Sequence, residues 1–455
     1  MSSTAPSKGG GSASAQPPPF DVPSHSDPVV AMASNVIGGP LGRYAVVGRD
    51  GLGAIMAALM VMASVVMALG VFQKGHCLMK GWVSPDQFWR ACYSDVTVVN
   101  ISSSLANRDF PYAGETPVDQ PLLSGLAMWV LSWLSPFSGA GIAAQRSLFV
   151  MWALVCLILL AAGIVAVVAM QPSRPWQAAH LAASPVLVFL ALISVDLLGV
   201  ILVIYGLWAW QRRHPVLAGA FLGVAFLMRP YPLVFLLAIV LVSIPARRVN
   251  DALQAALASV LAAVTIYLPM LVLYDNAVLA SPRGWLTAGP GYGSLMLVVE
   301  SAGVPISSGT ATGISLLGWL VAAGVGYRLA TTRSHPSILT IAAPMMLIVA
   351  LTAQSVSAQT GLWLLPFVAL SAVSWRDHLI WAATEIIHFE AVWLRIADAS
   401  DPGRGLDPGG YGIFVVIRFI GWGWLLWQVT RPRPAQSGRG FAQRQDALAS
   451  SPTGL

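Results

Sequence analysis

The chain has 455 residues, 56% of them hydrophobic and only 10% charged, with a formal net charge of +6. Soluble domains carry about 25% charged residues. This composition, with a mean hydropathy of +0.71, therefore excludes a soluble enzyme and points to an integral membrane protein.

The basic balance does not indicate nucleic acid as a partner. Lys and Arg fall in short clusters between apolar runs and at the tails, as the positive-inside bias requires, and form no binding stripe. Residues 1–45 are rich in Ser, Pro, Gly and Ala without apolar periodicity, and are expected to be a disordered tail. The run from Gly51 to Phe72 is too long for the apolar core of a signal peptide. It reads as the first spanning helix, with Arg43 and Arg49 on its cytoplasmic flank.

From 74 to 118 the chain turns polar and aromatic, with Trp82, Phe88, Trp89, Tyr93 and Tyr112 spread along it. Such residues suit short interfacial helices in a first extracytoplasmic loop. Cys77 and Cys92 both fall in that loop, where a disulfide and two free thiols are equally open readings; Cys156, inside an apolar run, reads as packing. No CxxC spacing supports a structural zinc, and no ligand set for a metal or other cofactor stands out.

Twelve further apolar runs follow, at about 120–136, 146–170, 177–192, 194–210, 215–229, 231–245, 251–274, 311–328, 337–353, 361–374, 379–396 and 411–430. Basic clusters at 211–214, 247–248, 327–335, 376–378 and after Thr430 mark the cytoplasmic side. Both tails, including a second disordered one at 431–455, then lie inside, which demands an even number of crossings. Thirteen runs do not satisfy this, and the short run 120–136 is the one expected not to cross. The expected architecture of 46–430 is thus an all-α polytopic bundle of about 12 transmembrane helices.

Ionisable groups in such helices are costly and are functional candidates by default. Asp196 opens the run 194–210, as either a site carboxylate or a helix cap. Arg229 sits in Arg229-Pro230-Tyr231-Pro232, where the prolines force a break; it reads either as a ligand or as a side chain snorkelling to the interface. Glu385, His388 and Arg395 share one helical face, and Glu385 with His388 could equally be a mutually satisfied buried pair. Asp95, in the first loop, is by itself an ordinary solvated carboxylate. What raises it is the set of acids and bases that the topology places at the same outer face.

The stretches Cys92-Tyr93-Ser94-Asp95, Phe110-Pro111-Tyr112 and Asp119-Gln120-Pro121, and later Ala183-Ser184-Pro185 running to Asp196-Leu197-Leu198, carry a resemblance. So do Arg229-Pro230-Tyr231-Pro232, Gly293-Ser294, Trp363-Leu364-Leu365-Pro366 and the segment from Glu385 to Trp393. Together they resemble the polytopic GT-C class of glycosyltransferases, and most nearly glycosyltransferase family 87, which includes actinobacterial α-1,2-mannosyltransferases. The chain departs from that family at 354–360, where its usual Lys, Pro and Tyr are missing, and at Arg229, which replaces a Lys.

The resemblance implies a GT-C-like fold in the bacterial plasma membrane. It implies transfer of a sugar, mannose being the one expected, from a polyprenyl-phosphate donor to a cell-envelope glycolipid or lipoglycan acceptor, with inversion. Asp95 takes the place of the catalytic base, and Asp119, Asp196, Arg229, Tyr231, Glu385 and His388 are the substrate-binding candidates. A transporter or flippase of a lipid-linked sugar, or a non-catalytic relative, is the competing reading.

Overall fold

The computed structural model describes residues 49–333 and 336–431; the tails expected at 1–45 and 431–455 lie outside these residues, apart from Arg431. The described residues are helical and contain no strand. Among the described residues five helices are long and apolar enough to cross a membrane: α1, which contributes Gly51–Gln73, and the helices over Ile142–Met170, Val249–Leu273, Ser308–Thr332 and Pro408–Thr430. This is the architecture of an α-helical membrane protein, and the described residues from Ala58 onward belong to one compact unit.

In chain order, α1 (Arg49–Gln73) leads into the first loop, which holds α2 (Gly75–Lys80), α3 (Asp86–Trp89) and α4 (Asp95–Ile101). Then come α5 (Leu122–Leu134) and α6 (Ile142–Met170). The run expected at 177–192 is not one helix. A 3₁₀ turn (Pro175–Ala178), α7 (Ala179–Ala182) and α8 (Pro185–Leu190) follow one another, because Pro185 starts a new helix and excludes α geometry from the residue before it.

Next are α9 (Asp196–Gln211), α10 (Pro215–Phe226), α11 (Pro232–Ser243) and α12 (Val249–Leu273). The loop expected at 275–310 contains α13 (Asp275–Thr287) and α14 (Leu295–Ser301). After them come α15 (Ser308–Thr332), α16 (Ile338–Leu351), a 3₁₀ turn (Ala358–Leu364), α17 (Leu365–Leu370), α18 (Trp375–Ser400) and α19 (Pro408–Thr430). The run expected at 361–374 is therefore also broken. The helix α18 has 26 residues, but Arg376, Asp377, Glu385, Glu390, Arg395 and Asp398 dilute its hydropathy.

Local chemistry explains the starts. Ser307, Ser337 and Ser374 accept hydrogen bonds from backbone N–H groups of the first turns of α15, α16 and α18, and Asp407 does so for α19. Proline occupies the first turn of α8, α10, α11, α17 and α19, where its missing N–H costs nothing.

Side-chain contacts sort the segment ends into two groups. At one end, Arg248 stacks on Trp210 at 4.4 Å, Arg212 donates to the Ala169 carbonyl, Gln171 to that of Leu370, and Arg333 to that of Thr430. The basic turns thus gather together. At the other end lie Asp95, Asp196, Arg229 and Arg404. The short helix α5 has both ends in this second group: Leu123 N donates to Leu227 O, while Ser135 contacts Ser147 near the start of α6 and its carbonyl accepts from Arg108. Both ends of the run expected not to cross thus contact residues of the same group.

The helices α10 and α12 touch through glycine. A Cβ on Gly219 would lie 2.0 Å from the Ala255 carbonyl oxygen, and one on Gly223 would lie 2.2 Å from that of Ser259. Such backbone contact is the small-residue packing of membrane helices. Gly219→Val is expected to push the pair apart and to destabilise the protein by about 1–3 kcal/mol, read as a lowered thermal transition in detergent, whereas Gly53→Ala, with no atom near its added methyl, leaves the transition in place.

Candidate active site

The approach to Asp95 is built from the first loop. Cys77 and Cys92 form a disulfide, which resolves the two readings of that pair, and both are fully buried. Ala91, with a left-handed φ of 47°, turns its carbonyl to accept from Gln73 Nε2 at 2.8 Å and Lys74 Nζ at 3.1 Å. Lys74 is fully buried with its ammonium 4.7 Å from the centre of the Phe389 ring. Burial pulls its pKa down to about 7 against the opposing charge of Glu390. From the other side Trp82 Nε1 donates to the Cys92 carbonyl at 2.9 Å.

Beyond this braced turn, Ser94 Oγ donates to Leu192 O at 2.8 Å and Asp95 N donates to Ile193 O at 2.6 Å. These bonds tie the base of α4 to the segment joining α8 to α9. The Asp95 carboxylate is half-buried and accepts from Gln359 Nε2 at 3.4 Å and from the Tyr93 hydroxyl. Burial raises its pKa to about 6; the Tyr93 hydrogen bond and Arg229 oppose the rise and Asp196 adds to it. A carboxylate so placed is a stronger base than a solvated one and still ionised at neutral pH.

Asp196 does not cap its helix. Its backbone N–H is bonded to Ser194 Oγ at 3.3 Å, while its buried carboxylate accepts from Arg229 Nε at 3.1 and 3.2 Å and from Trp363 Nε1 at 3.4 Å. Arg229 is thus paired and does not snorkel freely. Its Nε serves Asp196, its terminal nitrogens have no hydrogen-bond partner among the described residues, and its side chain keeps 24% of its surface accessible. Pro230 and Pro232 hold it in the break between α10 and α11. Tyr231 is buried against Trp363, ring centres 5.6 Å apart, and hydrogen-bonds Thr360. Gly199 leaves room for this ring, since a Cβ there would lie 2.6 Å from Trp363.

Gln359, Thr360 and Trp363 belong to the 3₁₀ turn that forms the opposite wall, and a buried ion pair fixes it. Arg418 binds both oxygens of Glu385 through Nε at 3.2 Å, and donates to the carbonyls of Val356, Ser357 and Ala358 at 2.6, 3.0 and 3.1 Å. Trp422 Nε1 also donates to Glu385. Glu385 and His388 do not satisfy each other: Glu385 pairs with Arg418, and His388 Nε2 meets the Tyr411 hydroxyl at 3.3 Å. Glu385 therefore supports the site from behind. Asp119 is exposed near Tyr112 and makes no contact with the Asp95 group.

The fold thus brings together Asp95, Asp196, Arg229 and Tyr231, and sets Glu385, His388 and Asp119 outside that group. Sequence reasoning passed over Tyr93, Gln359, Trp363 and Arg418. Arg418 was detectable as a cation inside the apolar run 411–430. Gln359 was not, because only the fold carries it across 264 positions to Asp95. Among the described residues no three or more His, Cys, Asp or Glu side chains gather as metal ligands.

The class is that of α-helical membrane proteins with a carboxylate and a paired guanidinium at one end of the bundle. Comparison with protein-family models and with curated proteins finds no match.

Proposed function

We propose that the protein is a membrane glycosyltransferase that moves a sugar, mannose in the first instance, from a polyprenyl-phosphate donor to a glycolipid or lipoglycan of the bacterial cell envelope. The observation that carries this reading is the juxtaposition of a basic carboxylate, Asp95, with a cation, Arg229, that keeps two terminal nitrogens available. In this reading the acceptor hydroxyl oxygen attacks the anomeric carbon as its proton passes to Asp95. The bond from that carbon to the phosphate oxygen breaks, the phosphate leaves with the electron pair, and Arg229 holds it through charge-assisted hydrogen bonds. Attack opposite the leaving group inverts the anomeric centre.

The same reading orients the protein in the plasma membrane. The basic turns at one end favour the cytoplasmic side, so Asp95 faces outward and both tails face the cytoplasm. Counting the broken segments 175–193 and 358–370 as crossings, and α5 as none, gives about twelve passes. At ~1.5 Å per residue the 12-residue helices α10 and α11 each rise only ~18 Å, against a hydrocarbon core of ~30 Å. The site at their ends would then lie within reach of a lipid-borne phosphate.

A lipid-linked-sugar transporter needs polar groups that continue toward the other end. There, His180, His378 and Ser184 are buried and hydrogen-bond one another at 2.8 and 3.0 Å, which favours the enzyme.

Arg229→Gln removes the charge that meets the donor phosphate. The apparent donor affinity is expected to fall about 10- to 100-fold, as for a lost charge-assisted hydrogen bond of ~1.5–3 kcal/mol. Transfer assays over a range of polyprenyl-phosphate mannose read it, and an unchanged affinity contradicts the role.

A further inference from the structure

A depression of about 420 Å³ opens between α3 and the turn after α18, lined by Asp86, Trp89, Arg90 and Arg404. It is distinct from the Asp95 group but joined to it by a ladder of rings. Trp89 follows Phe88, which lies 5.5 Å from Tyr93 and 6.0 Å from Trp393, with Tyr93 and Trp393 4.8 Å apart; Tyr93 in turn hydrogen-bonds Asp95.

The depression has a built frame. Trp89 Nε1 donates to the Arg404 carbonyl at 2.9 Å, and the Arg404 guanidinium sits 4.3 Å from the Trp89 ring centre. The turn that presents Arg404 is held by Asp398, which accepts from Gly403 N at 3.0 Å and Arg395 Nη1 at 2.9 Å. Gly403, at φ 83°, takes the left-handed conformation that the turn needs.

The side chains select a chemical class. Each arginine stands beside a carboxylate: Arg90 Nε is 3.9 Å from one oxygen of Asp86, whose other oxygen binds His76 Nε2, and Arg404 Nη1 is 3.2 Å from Asp401. With the two positive charges matched by two negative ones, a polyanion gains little. A neutral polyhydroxylated ligand fits better, because guanidinium donors and carboxylate acceptors together pair with neighbouring hydroxyls, and the Trp89 indole, one face of which Arg404 covers, has a second face for the apolar side of a sugar ring.

We propose that this depression is a sugar-binding subsite, and that it holds the glycan of the acceptor while the reacting hydroxyl reaches Asp95. The acceptor role rests on the glycosyltransferase reading; the sugar site itself does not.

The test uses the full chain in detergent, with α-linked mannotriose as the probe. Saturation-transfer NMR is expected to detect binding in the parent and in Asp95→Asn, to lose it in Trp89→Ala, and to show about tenfold weaker binding in Arg404→Gln. In transfer assays both subsite variants are expected to raise the acceptor KM about tenfold with donor KM and kcat unchanged.

Absence of mannotriose binding, equal binding by the parent, Trp89→Ala and Arg404→Gln, or displacement of the sugar by inorganic phosphate overturns the subsite. Arg404→Gln, a change to an exposed side chain, keeps the test open if Trp89→Ala fails to fold. Binding that depends on Trp89 in a protein that transfers no sugar supports the subsite and removes the glycosyltransferase reading instead.

Discussion

Asp95→Asn is expected to lower sugar transfer by about 10²- to 10⁴-fold, the range of a general base, while leaving the protein folded. The substitution keeps the shape and an acceptor for the Gln359 and Tyr93 hydrogen bonds but cannot take a proton. The pH profile carries the sharper signature. Only the ionised carboxylate acts as base, and its pKa stands near 6, so kcat/KM rises with pH through about 6 and levels off above it; Asn removes that limb.

Stability moves the other way. A carboxyl whose folded pKa is raised binds its proton more tightly when folded, so its charged form disfavours folding above about pH 6, and the effect fades as pH falls toward its ordinary value. Asp95→Asn is therefore expected to unfold at the parent temperature or above it at pH 7.5. Near-parent transfer from radiolabelled polyprenyl-phosphate mannose by this variant would sink the assignment.

The largest effect on stability is expected at Glu385 and Arg418. Both are almost completely buried, and removing one partner leaves a charge without its counterion, which costs about 3–5 kcal/mol. Glu385→Leu strands the Arg418 guanidinium, and Arg418→Met strands the carboxylate and also frees the carbonyls of Val356, Ser357 and Ala358. Replacing both together is expected to recover part of the loss, since no unpaired charge remains, but not all of it, since the carbonyls of Val356, Ser357 and Ala358 lose the hydrogen bonds that Arg418 supplied. Thermal unfolding of the two single variants and the double variant in detergent measures this coupling. A double variant as unstable as the sum of the single ones would mean that the pair is not a coupled unit. The same variants loosen the wall that carries Gln359 and Trp363, so transfer is expected to fall with stability.

Legibility followed the length scale of each interaction. The long apolar helices, the aromatic first loop and the break at Pro230 and Pro232 were readable because hydropathy and proline act over a few neighbouring residues. Counting crossings singled out the run 120–136 as the one expected not to span, and it folds as the single 13-residue helix α5, which is not among the five long enough to cross. Reading failed where one apolar run hides two conformations: 177–192 and 361–374 are each interrupted, and the interruptions place Ile193, Gln359 and Trp363 at the site. It failed again at Glu385 and His388, which share a helical face but take partners on another helix, Arg418 and Tyr411.

By itself the sequence determined that this is an α-helical membrane protein, where its charges cluster, and that Asp95, Asp196 and Arg229 stand at equivalent ends of their segments. Those are consequences of composition, periodicity and alternation, which are local properties of the chain. Only the tertiary structure decided that Arg229 pairs with Asp196 beside Asp95, that Asp119 stays apart, and that Glu385 stands behind the 3₁₀ turn, paired with Arg418. Partner choice among buried charges depends on which helices touch and in what register, and desolvation makes that choice strict, because a buried charge without a counterion is too costly to keep.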